Sequence, residues 1–406
     1  MLLYIDPGTG SMLFTILIGV LGAAVYGLWE VFMKLRFRLS GGKAEAVSEN
    51  KTPIVIFTDS KRYWNVFGPI CDEFERRGEK LEYLTSSSDD PALEKDYAHV
   101  KCQFIGEGNK AFARLNTLRA DIVLSSTPSL DVLYWKRSRD VKWYVHIPHA
   151  ASDITIYRMF GIDYFDTILI SGDYQEEQIR KLEKLRNLPA KEIVKVGIIY
   201  MDEMKKRLDA APPLPEHPTT VLLAPSWGAS GILSVYGGSI IQALLDTGYS
   251  VIVRPHPQSY TAEKELIEKI MVEFPAGDRL EWNRDNDGFE VLRRSDIMIS
   301  DFSGVIFDFT LVFDKPVIYA DTSFNKDPYD AAWLDEELWT FSVLPKIGRQ
   351  LTRDGLDNMR NLIDSCLADD TFQKGRDEAR KETWAYIGES TARTVDYLLR
   401  KRADLE

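Results

Sequence analysis

Two short stretches carry the histidines that could do acid–base chemistry. His146-Ile147-Pro148-His149-Ala150-Ala151-Ser152-Asp153 follows one apolar run, and Arg254-Pro255-His256-Pro257 follows another. An imidazole titrates near neutrality, so one held at a strand end beside a cleft suits a general base or acid. His149 falls past the end of its expected strand and is the candidate base. His146, inside the strand, reads first as a packed core side chain. A metal site fits poorly, because no third or fourth ligand stands at zinc spacing and Pro148 disfavours a helix there. Prolines on either side of His256 hold its backbone, and Arg254 offers a planar fork of donors to phosphate oxygens. Together Arg254 and His256 read as a phosphate clamp.

Two further loops could meet an anion. Ser303-Gly304 stands between the apolar run ending at Asp301 and the helical pattern of Val305 to Phe309, where backbone N–H groups and a hydroxyl are presented at a helix start. Capping of that helix by Ser or Asp explains the same residues without a ligand. Pro225-Ser226-Trp227-Gly228-Ala229-Ser230-Gly231 is a flexible loop whose backbone could approach a phosphate. It lacks the G-x-x-x-x-G-K-[ST] pattern, and no G-x-G-x-x-G follows the first expected strand, so neither P-loop nor nicotinamide chemistry is indicated.

The elements that must position these loops alternate regularly. Strands are expected at 53–58, 80–85, 100–105, 121–125, 142–147, 167–171 and 194–199, with helical spacing over 67–77 and 174–185. Pro212, Pro213, Pro215 and Pro218 interrupt the pattern, which restarts with strands at 220–224, 250–254, 279–282, 297–301 and 316–319 and ends in helices, one over 383–400. This predicts an α/β chain with two doubly wound, Rossmann-like halves: a first domain over 52–207, a proline-rich hinge over 208–219, a second domain over 220–382, and a final helix within 383–406 able to cross back to the first domain. Such sheets bind ligands beyond the carboxyl ends of their strands, so a cleft between the halves is the place to look.

Composition narrows the class. At 406 residues, 45% hydrophobic and 28% charged, the body is that of a folded globular protein of more than one domain. Sixty-two acids against fifty bases give a net charge of −12, which argues against nucleic acid as a partner. Cys71, Cys102 and Cys366 are scattered, with neither a disulfide framework nor ligand spacing. The first 39 residues differ: over 12–33 the only charge is Glu30, and Lys34, Arg36 and Arg38 follow at once. That predicts one membrane-spanning anchor, its N-terminus outside and everything after the linker at 40–51 cytoplasmic.

Taken in order, the motifs resemble the CDP-glycerol glycerophosphotransferase family, which builds teichoic acids and related polymers of the cell envelope. His149-Ala150-Ala151 is similar to its His-Gly-Thr segment, and Gly197-Ile198-Ile199-Tyr200-Met201-Asp202 to Gly-Tyr-Pro-Arg-x-Asp. Ala224-Pro225-Ser226-Trp227 looks like Ala-Pro-Thr-Trp, Arg254-Pro255-His256-Pro257 like Arg-x-His-Pro, and Ser300-Asp301-Phe302-Ser303-Gly304-Val305-Ile306-Phe307-Asp308-Phe309 like Ser-Asp-Tyr-Ser-Ser-x-x-Phe-Asp-Phe. The resemblance implies a GT-B fold with the nucleotide donor held mainly by the second domain. It further implies transfer of a polyol phosphate from CDP-glycerol or a related CDP-polyol to a lipid-linked acceptor at the membrane, with release of CMP. His149 and His256 would be catalytic, Arg254, Ser226, Ser303, Gly304 and Asp301 would bind the donor phosphates, and no cofactor or metal is required. Gly304, Gly228 and Ala150 depart from the family pattern, and the hinge arginine is absent, so fewer donors would face the phosphates. Two other readings remain: a GT-B glycosyltransferase or nucleotide-sugar epimerase using a UDP- or CMP-sugar, and a degenerate membrane-tethered binding protein.

Overall fold

The structure is a computed structural model that describes residues 52–285, 287–368 and 371–406. The anchor expected over 12–33 lies outside them; among the described residues no helix is long and apolar enough to cross a membrane. Lys51–Glu406 forms one compact unit built around two parallel sheets.

The first sheet has seven strands: β1 (Thr52–Thr58), β2 (Leu81–Thr85), β3 (Val100–Phe104), β4 (Ala120–Ser125), β5 (Val141–His146), β6 (Thr167–Ile170) and β7 (Glu192–Lys195), in the order β3-β2-β1-β4-β5-β6-β7. The second has six: β8 (Thr220–Leu223), β9 (Ser250–Val253), β10 (Leu280–Trp282), β11 (Ile297–Ser300), β12 (Val317–Ala320) and β13 (Gly348–Leu351), in the order β10-β9-β8-β11-β12-β13. Runs such as Ile54-Val55-Ile56-Phe57 and Ile297-Met298-Ile299 are wholly buried. Both faces of each sheet are covered, which is why these strands read as unbroken apolar runs rather than alternating ones. The order reverses between β1 and β4 and again between β8 and β11, leaving a crevice at each switch point.

The helix Trp64–Arg77 buries Val66, Phe67, Ile70, Cys71 and Phe74, a stripe at helical spacing turned to the sheet. The C-terminal helix Ser390–Leu405 packs beside it on the first sheet, so the chain does cross back. The helix expected over 383–400 begins only at Ser390 and runs to Leu405, and a separate helix, Gln373–Thr383, ends before it. Tyr386 (φ 53°) and Gly388 (φ 83°) adopt left-handed backbone between them, which no helix can continue through. The Asp202 carboxylate holds the crossing, accepting from Trp384 Nε1 (2.8 Å), Gly388 N (2.8 Å) and Ser390 N (3.0 Å).

Two other expectations shift. The β-branched run to Ile199 does not stay a strand: Gly197 turns the chain at φ 96°, and Ile199 opens the helix Ile199–Ala210. A Cβ on Gly197 would stand 2.3 Å from the carbonyl oxygen of Ala385, so glycine also lets the crossing segment lie close. That helix runs into the expected hinge, leaving 211–219 as the extended proline-rich connection. Strand β13, Gly-Arg-Gln-Leu, is too short and polar to stand out in sequence and is held by pairing with β12.

Side chains from each half tie down loops of the other. Asp153, after β5, accepts from the N–H groups of Trp339 (2.9 Å) and Thr340 (2.7 Å) at the start of the helix Trp339–Ile347. Arg186 bridges Asp163 (2.7 Å) and the fully buried Asp330 (2.6 Å). Tyr200 donates to Asp308, and Tyr174 stacks on Trp339 with centroids 4.6 Å apart.

Candidate active site

The strand β5 ends at His146, and the next turn carries His149. His146 is fully buried, with its ring against Tyr157 (5.2 Å) and Phe165 (4.9 Å). Burial pushes its pKa down to about 3, so it is a neutral core group. Pro148 takes the chain out of the strand and leaves His149 at the sheet's carboxyl edge. The His149 ring rests 4.7 Å from the Tyr63 ring, and Tyr157 Oη lies 3.5 Å from its Nδ1. Burial, with His256 nearby, lowers its pKa to about 4. His149 is therefore neutral at physiological pH, the state a general base needs.

On the facing half, β9 ends at Val253 and the Pro255-His256-Pro257 turn follows. The backbone N–H of Gln258 donates to His256 Nδ1 at 3.1 Å. An acceptor Nδ1 puts the proton of the neutral ring on Nε2, which is thereby a donor. Burial and the positive charge of Arg62 lower the His256 pKa to about 4. The Trp227 ring, 39% exposed, lies 6.4 Å from the His256 ring. Close by, a Cβ on Gly304 would be 3.5 Å from that of Ala150, so the Ser303-Gly304 turn abuts the residue next to His149. The two histidine loops and the Ser303 turn thus meet across one cleft.

Two expected phosphate ligands are used differently. Arg254 donates to the Asn283 side chain and packs along Gly288, with Asp285 and Asp287 in electrostatic reach, so its fork braces the loop after β10. Among the described residues Arg254 makes no hydrogen bond to His256. Asp301 is 1% exposed, and its carboxylate accepts from the N–H groups of Ser226 (3.0 Å), Ile232 (2.9 Å) and Ser303 (3.1 Å). It shapes the Ser226 and Ser303 loops together, and its oxygens are already spent on backbone N–H groups. Ser226, Ser303 and Gly304 stay at the cleft, half-buried.

The sequence reading missed Arg62, Tyr63 and Tyr157. Arg62 and Tyr63 belong to the turn Lys61–Tyr63 just after β1, at the switch point beside β4, where Ser60 accepts from Arg62 N and Asp59 from Thr127 Oγ1 (3.0 Å). The rule that function follows each strand pointed there, but no motif marked it. The hydrogen bond from Tyr200 to Asp308 also went unread; burial raises the Asp308 pKa to about 7.

Two parallel sheets, with strand-end loops of each half meeting between them, define a GT-B-like fold. Solved structures share this fold: a putative UDP-N-acetylglucosamine 2-epimerase from Listeria monocytogenes (11% identity, 85% of this chain and 95% of that one, TM-score 0.54) and the S. aureus MnaA–UDP complex (13%, 88% and 98%, TM-score 0.54). The UDP-GlcNAc 2-epimerase from Neisseria meningitidis bound to UDP-GlcNAc is similar too (12%, 86% and 100%, TM-score 0.51). No match was found among the curated proteins. Residues 161–334, under half of the chain, match the model of the family described as CDP-Glycerol:Poly(glycerophosphate) glycerophosphotransferase, and the protein is a transferase. Ser226, Arg254, His256, Asp301, Ser303 and Gly304 lie within the match; His149 stands just before it.

Proposed function

We propose that the protein transfers a polyol phosphate from CDP-glycerol, or a related CDP-polyol, to a hydroxyl of a lipid-linked acceptor. The observation that carries this reading is the pairing of two neutral histidines, one from each half, across the cleft of a chain with a glycerophosphotransferase domain. The acceptor oxygen attacks the distal phosphorus of the donor, and the bond from that phosphorus to the bridging oxygen breaks. CMP leaves with the electron pair. His149 takes the hydroxyl proton on Nε2, with Nδ1–H turned to Tyr157 Oη. His256 Nε2–H, the Ser303 hydroxyl and the amides near Gly304 stabilise the charge gathering on the phosphate and the leaving group. No metal is needed in this scheme. The anchor over 12–33 would hold both halves at the cytoplasmic face, where such an acceptor is met.

The test is nucleotide release from a panel of CDP-polyols, CMP-sugars and UDP-sugars in the presence of membrane lipid extract. CMP released from a CDP-polyol, and lost in both His149→Ala and His256→Ala, is the expected result. Near wild-type release in both variants, or release from a UDP- or CMP-sugar alone, would overturn the assignment.

A further inference from the structure

The turn Lys61–Tyr63 places two cations side by side with different fates. Lys61 pairs with Asp89, whereas the exposed Arg62 has no carboxylate within ion-pair distance among the described residues. The turn is held rigidly: Ser60 caps it, Ser87 Oγ accepts from Lys61 N (3.0 Å), and the neighbouring Tyr63 ring lies on His149. It sits at the switch point of the first sheet, where a parallel sheet opens a crevice. Arg62 is near enough to His256 of the other half for its charge to oppose protonation of that imidazole. Arg62 also acts electrostatically on Asp59 but forms no ion pair with it, and the turn that lays Tyr63 against His149 carries the guanidinium at the edge of the site, within electrostatic reach of His256; a planar fork so placed binds phosphate oxygens two at a time.

We propose that Arg62 grips the donor phosphate that His256 meets from the opposite half, so that the phosphate site is built from both halves. This rests on the donor cleft described above, and it supplies a cation that Arg254, turned to Asn283, does not.

Two measurements on the full chain test it. Calorimetric binding of inorganic pyrophosphate, which requires no knowledge of the polyol, should weaken about 10- to 100-fold in Arg62→Ala, the loss typical of a charge-assisted contact, and less in Arg62→Lys. Wild-type affinity in Arg62→Ala, or no pyrophosphate binding by the wild type, overturns the proposal. In CMP-release kinetics Arg62→Ala should raise KM for the donor and leave KM for the acceptor unchanged. A rise confined to the acceptor would assign Arg62 to an acceptor phosphate and overturn the donor role. A wild type that releases no CMP refutes the proposed reaction, while the pyrophosphate measurement still judges Arg62. Unchanged thermal melts confirm that the exposed side chain has been removed without loss of fold.

Discussion

The pH profile of the transferase should reveal whether His149 is the base. An ordinary imidazole with a pKa of about 6.5 is roughly nine-tenths protonated at pH 5.5, so an ordinary base would have lost about tenfold in kcat/KM by then. Burial and the neighbouring His256 bring His149 to about 4, so at pH 5.5 it is still almost wholly neutral. The acid limb of kcat/KM, which reports the free enzyme, should therefore fall near pH 4 rather than 6.5. Stability must be followed alongside, because His146, His149 and His256 all have folded pKa values below their unfolded ones. The unfolded chain then binds more protons, and the fold loses stability as pH drops from about 6.5 towards 4. Stopped assays of CMP release from pH 4.5 to 8, restricted to the range where thermal melts show a folded protein, separate the two effects. An acid limb centred near 6.5 in folded wild-type enzyme would refute the assignment of the base.

Three further outcomes follow from the packing. Asp202→Ala orphans three donors at the crossing of the C-terminal chain and should cost ~2–4 kcal/mol in urea denaturation. Gly197→Ala forces a Cβ to within 2.3 Å of the Ala385 oxygen at φ 96°, and should cost ~1–3 kcal/mol, seen as a melting temperature lowered by several degrees. Asp308, raised from 3.8 to about 7, binds a proton in the fold that it would release on unfolding, so its contribution to stability is lost as pH rises from about 4 through 7. Asp308→Asn should therefore gain on wild type as melts are taken from pH 4 to pH 8; a pH-independent difference would mean that Asp308 is ionised throughout.

The fold was legible where burial is continuous. Ile54 to Phe57, Ile122 to Leu124 and Ile297 to Ile299 are apolar because both faces of their sheets are covered, and hydropathy registers that directly. Strand β13 was not legible, because its four residues depend on their partner strand. Ile198 and Ile199 read as strand because β-branched residues favour strands, whereas the left-handed Gly197 immediately before them turns the chain. At the site, His149 and His256 stood out because proline and strand ends frame them. Arg62 did not, since its meaning comes from a residue almost two hundred positions away.

Three buried acids point to a rule for chains of this kind. Asp153, Asp202 and Asp301 all stand within the quoted motifs, and each spends oxygens on backbone N–H groups of a distant segment. A carboxylate aimed at a phosphate would repel it, whereas one buried behind the loop can accept several N–H groups and fix the loop's shape. Asp301 does this for the Ser226 and Ser303 loops together, so losing it would disorder two walls of the cleft at once. The excess of acid over base in the chain is thus compatible with anionic substrates: Asp301 is buried behind the loops with its oxygens spent on backbone N–H groups, and the imidazoles of His149 and His256 are neutral.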